Sequence, residues 1–90
     1  TTEASNARAF ANWLKSATYL SGHDNVVCFD LFNMLARADD GSATANRLRY
    51  EYEGSHSDSD SHPNDAANAV VGPALANFMC EQARLYYLAP

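Results

Sequence analysis

Apolar positions near the start of the chain recur at helical spacing. Phe10, Trp13, Leu14, Ala17 and Leu20 share one face while Arg8, Asn12 and Lys15 fall off it, which predicts a helix with Ser5 or Asn6 as its N-cap. Residues 21–25 (Ser-Gly-His-Asp-Asn) then break the pattern with turn formers. Residues 26–32 (Val-Val-Cys-Phe-Asp-Leu-Phe) form a short, nearly continuous apolar run rich in β-branched and aromatic side chains. Such a run predicts a strand covered on both faces, as in the interior of a parallel sheet. A parallel strand needs crossover helices and neighbouring strands, and few other segments here qualify, so the pattern points to part of a larger α/β domain. Asp30 inside that run would be a buried carboxylate in need of partners, with a structural role.

Residues 33–38 suit a helical turn and 39–42 (Asp-Asp-Gly-Ser) a loop. Residues 47–53 alternate, with Leu48, Tyr50 and Tyr52 on one side and Arg49, Glu51 and Glu53 on the other. By pattern alone the alternation predicts a half-exposed strand. Residues 54–61 are almost wholly Ser, Asp and His, a polar loop. The last element is a helix opening at Asn64 or Asp65, with Asp65 favoured as its cap. It runs through Val70, Val71, Leu75, Phe78, Met79 and Ala83, with a kink or restart expected at Gly72-Pro73.

Composition narrows the function classes. The 90 residues allow one small core. A net charge of −5 with six scattered basic residues gives no stripe for nucleic acid. No apolar stretch approaches the roughly 20 residues of a membrane span. Cys28 and Cys80 are not in a Cys-x-x-Cys spacing, and two thiols or one disulfide both remain open. A bridge would suit an exported chain, and a single lysine among many Asn, Ser and Asp also points to a secreted or periplasmic setting.

The candidate chemistry lies in residues 55–65, where His56, Asp58, Asp60, His62 and Asp65 crowd together. Three readings compete. His62 can serve as a general base toward a serine hydroxyl, with Asp60 or Asp58 fixing its tautomer. Alternatively, His56, Asp58, Asp60 and His62, spaced two apart, could bind a divalent metal if the segment were extended. The third reading is a solvated loop without chemistry. Elsewhere, His23 reads as a turn residue, and Trp13 and the tyrosines as packing groups.

The segment His62-Pro63-Asn64-Asp65-Ala66-Ala67-Asn68 resembles the catalytic-histidine block of SGNH (GDSL-type) ester hydrolases, in which His-Pro precedes the last helix. Upstream, residues 6–14 and 25–35 are similar to that family's helix and last core strand, and residues 70–78 to its closing helix. The resemblance implies the C-terminal portion of a three-layer α/β/α sandwich with a parallel sheet, and it makes an extended loop over residues 47–53 as possible as a strand. It also implies an esterase or lipase-like activity on acyl lipids or acetylated carbohydrates, with His62 as base, Asp60 as orienter and Asp58 as alternate, and no cofactor. The family's acid stands three residues before the histidine, where this chain has Ser59, and its Gly-Asp-Ser nucleophile block is absent from the 90 residues. The nucleophile is therefore expected on a companion chain or an N-terminal segment, and this chain alone is expected to be inactive.

Two rivals stand beside this reading. Residues 54–59 with Asn64-Asp65 are similar to ligand motifs of zinc aminopeptidases, but the paired glutamates of that family are lacking. A small secreted interaction protein without activity is the other.

Overall fold

The computed structural model describes residues 1–88. The chain is helical: α1 (Thr2–Leu14), α2 (Ala17–Leu20), α3 (Leu31–Leu35), a single 3₁₀ turn (Tyr50–Tyr52) and α4 (Asp65–Leu88). Among the described residues there is no strand, only two isolated antiparallel bridges, Ala36 with Leu48 and Glu53 with Pro63. The expected parallel sheet, and with it the α/β/α sandwich, is not formed.

The first predicted helix exists but is divided in two. Thr1, upstream of the expected caps, accepts from the Ala4 amide at 3.2 Å and starts α1. Ser16 divides the segment: its hydroxyl donates to the Trp13 carbonyl at 2.6 Å and accepts from the Tyr19 amide at 3.4 Å. One side chain thus closes α1 and caps α2, the local competition with helix hydrogen bonds that serine offers. The rings of Trp13 and Tyr19 then meet across the break, 4.5 Å between centroids.

The 26–32 segment is where the sheet expectation fails. Residues 26–30 carry no regular structure, and Val27 is 53% exposed. A β-prone run becomes a strand only beside another strand, and none is available. Asp30 instead caps α3. One of its oxygens accepts from the Asn33 amide at 3.3 Å, and the other accepts from the Asn33 side chain and from Lys15 Nζ, both at 2.8 Å. Together these donors hold the Asp30 carboxyl below its ordinary pKa, the Asn33 side chain contributing most. The apolar run therefore ends inside a helix.

The alternating segment 47–53 likewise pairs at single points. The Arg37 amide donates to the Arg47 carbonyl at 2.8 Å and the Arg49 amide to the Leu35 carbonyl at 2.9 Å, which closes the 38–46 loop. Beyond this point the chain winds into the 3₁₀ turn. Arginines fasten this centre. Arg8 reaches from α1 to the side chains of Asn46 and Asn33 and lies over the Phe32 ring, 5.1 Å from its centroid. Arg49 Nε donates to the Ala36 carbonyl at 3.0 Å, and Arg37 Nε to the Leu48 carbonyl at 3.1 Å.

Helix α4 continues through Pro73 without a restart and retains Tyr86-Tyr87-Leu88. It packs on α3 and on the 3₁₀ turn, with Phe78 against Phe29 at 5.2 Å. The buried apolar set is small: Leu35, Ala36, Ala45 and Ala67. The radius of gyration, 15.2 Å, exceeds the ~12 Å of a compact chain of this length. The accessible surface, 6205 Å², likewise exceeds the ~5,200 Å² expected for a folded monomer of this mass.

Candidate functional site

The polar stretch after the 3₁₀ turn is a closed loop. At its base the Gly54 amide donates to the His62 carbonyl at 3.0 Å and the Asn64 amide to the Tyr52 carbonyl at 2.9 Å. Asn64 fixes the same base with its side chain: Nδ2 donates to the carbonyls of Glu51 (3.1 Å) and Glu53 (2.9 Å), while Oδ1 accepts from the Ala67 amide at 3.0 Å. Asn64, rather than Asp65, is thus the cap of α4. A loop with adjoining ends is the Ω-type geometry that presents side chains from a fixed frame.

Within this frame Asp60 holds His62 twice. Its Oδ1 accepts from the His62 backbone amide at 2.9 Å, an Asx-type turn, and lies 2.8 Å from His62 Nδ1. Its Oδ2 accepts from the Ser55 amide at 3.0 Å. These donors, the His62 amide and then the His62 ring foremost, hold the Asp60 carboxyl far below the ordinary carboxylate range. An ionised Asp60 can only accept, so Nδ1 carries the proton and Nε2 keeps its lone pair whenever the ring is neutral. The His62 side chain is 90% exposed, and among the described residues no group other than Asp60 hydrogen-bonds its ring. Gly54 is packed close behind: a Cβ there would lie 3.3 Å from Asp60 Oδ2.

The other candidates go elsewhere. Asp58, in a left-handed backbone conformation (φ 64°), is held by Arg37 Nη2 at 2.7 Å. His56 is also left-handed (φ 51°) and packs on Tyr50 at 5.2 Å between ring centroids. Asp65 lies in the first turn of α4, on the favourable end of its dipole. His23 stacks on Tyr19 in its turn, as a turn residue. No three His, Cys, Asp or Glu side chains come together as a metal-binding group among the described residues. The alternation that would have converged four ligands is undone by the two left-handed residues. Cys28 and Cys80 are both unpaired thiols. Ser55, Ser57 and Ser59 hydrogen-bond one another, at 2.9 Å and 3.2 Å, rather than His62.

No family model, curated protein or solved structure matches the chain. No helix among the described residues is long and apolar enough to cross a membrane.

The residue that sequence reasoning missed is Glu53. Alternation places it on the outer side with Arg49 and Glu51, yet its side chain is fully buried. Its Oε1 accepts from the amides of Ser57 (3.0 Å) and Asp60 (3.3 Å), and its Oε2 from Arg37 Nη2 at 3.1 Å. A glutamate at the edge of a serine-rich run carries no sequence signal for this, since the fold of the loop creates two of the three donors and brings the third, Arg37, from outside it.

Proposed function

We propose that this chain supplies the acid–base half of a serine ester hydrolase site, with His62 as general base and Asp60 as the group that fixes its tautomer. The observation that carries this reading is the 2.8 Å contact of Asp60 Oδ1 with His62 Nδ1 on a ring that is otherwise open to solvent. That arrangement leaves Nε2 to take a proton from an incoming hydroxyl and to return it to a leaving group, while the carboxylate stabilises the imidazolium formed between these steps. The likeness of the His62-Pro63-Asn64 block to SGNH ester hydrolases supports the same role at the level of the motif.

The nucleophile comes from a companion chain or segment. No serine hydroxyl hydrogen-bonds His62 among the described residues, and Ser55, Ser57 and Ser59 are bound to each other. The excess of roughly 1,000 Å² of accessible surface over a compact monomer, with Val70, Leu75, Met79 and Leu85 exposed on α4, fits a chain that packs against such a companion.

A serine-reactive fluorophosphonate tests the reading. The 90-residue chain alone should remain unlabelled, whereas the assembly recovered from the native source should be labelled on its companion part. His62→Ala should slow that labelling by about 10²–10⁴-fold. Labelling of the isolated chain, or native labelling indifferent to His62→Ala, would sink the proposal.

A further inference from the structure

We infer that Glu53 is a positioning residue for the Asp60–His62 pair, an inference that rests on the acid–base reading of that pair. A carboxylate taken wholly out of water is stable only if its oxygens are met by donors, and Glu53 meets three. Two of them are backbone amides of the loop that bears the histidine, Ser57 at 3.0 Å and Asp60 at 3.3 Å. The third is Arg37, itself tied to the Leu48 carbonyl and to Asp58. Glu53 also sits at the bridge to Pro63, so its backbone and its side chain grip the two limbs of the loop together.

The consequence is directional. Arg37 fixes Glu53, Glu53 fixes the backbone of Asp60, and the Asp60 carboxylate fixes the imidazole. A loop of Ser and Asp has no apolar packing with which to hold a ring to a few tenths of an ångström. The buried carboxylate supplies what packing supplies elsewhere. Ser57 lies between the left-handed residues His56 and Asp58, and its bond to Glu53 keeps the chain in a path that brings Asp60 back to the loop base.

The tautomer of His62, read from the nitrogen-15 shifts of its ring in the 90-residue chain, tests this without any assay of catalysis. The unmodified chain should hold neutral His62 with its proton on Nδ1. Asp60→Asn should release it to the mixture of free histidine, in which the Nε2 proton predominates. Glu53→Gln should do the same with an unchanged far-ultraviolet circular dichroism spectrum, because the amide nitrogen of Gln must face either the guanidinium or the two amides. If Asp60→Asn leaves the tautomer unaltered, the acid–base reading itself falls. If Asp60→Asn releases it but a folded Glu53→Gln does not, only the positioning role falls. Should Glu53→Gln fail to fold, amide exchange of the unmodified chain decides. Ser57 and Asp60 should exchange at least about tenfold more slowly than Ser61, whose amide has no partner among the described residues. Equal rates would overturn the inference.

Discussion

At the scale of single residues, Asp60 accepts the bonds from Ser55 and His62 through its carboxylate, and its ionisation maintains them. Its carboxyl in the folded chain lies below its ordinary value of about 3.9. A depressed folded-state pKa stabilises fully above the unfolded value and ceases to do so as the pH falls through the folded one. The bonds to Ser55 and His62 should accordingly persist down to about pH 4 and be lost only in stronger acid. The Ser55 amide proton, followed by NMR on acidification, reports this directly. A transition centred in the ordinary carboxylate range would show that Asp60 is not held as described. Asp58 offers a contrast, since its carboxylate serves Arg37, so Asp58→Asn should leave the Ser55 amide where it is.

At the scale of elements, the junction between the loop and α4 depends on one side chain. Asn64 caps α4 and bonds two carbonyls of the 50–53 segment. Asn64→Ala should cost about 1–2 kcal/mol for the cap, with more for the two carbonyls, read as a lower urea midpoint. Asp65→Ala should cost only a few tenths to about 1 kcal/mol, the value of a charge near a helix start. The reverse order would return the cap to Asp65. The start of the helix was legible in the sequence, from an Asn-Asp pair before a long Ala-rich run. The favoured cap, Asp65, was not the right one of the pair, because only the folded loop shows that Asn64 is the side chain that accepts from the Ala67 amide. The polar loop was legible too. The 26–32 segment was not legible. Apolar β-branched residues state a preference for pairing, but no local residue can supply the partner strand, and the capping carboxylate of Asp30 with Asn33 beside it tipped the run into helix. Residues 47–53 misled for a related reason: alternation marks two faces, and a 3₁₀ turn clamped by arginines can satisfy both without a sheet.

At the scale of the whole molecule, α4 has more apolar surface than the rest of the chain covers. Ala67, Val71, Ala74 and Phe78 form its less exposed line, with Phe78 against Phe29, while Val70, Leu75 and Met79 flank that line and remain exposed. Two kinds of apolar position therefore coexist on one helix, and substitution separates them. Phe78→Ala removes the contact with Phe29 and, at a half-buried site, should cost about half of the ~4 kcal/mol typical of a fully buried phenylalanine. Met79→Gln, at 61% exposure, should change the urea midpoint little. Yet Met79→Gln should lower the fluorescence of a bound apolar dye such as ANS, which reports uncovered apolar surface. If Met79→Gln destabilises the chain as much as Phe78→Ala, the outer flank of α4 is already engaged within this chain and is not open to a companion.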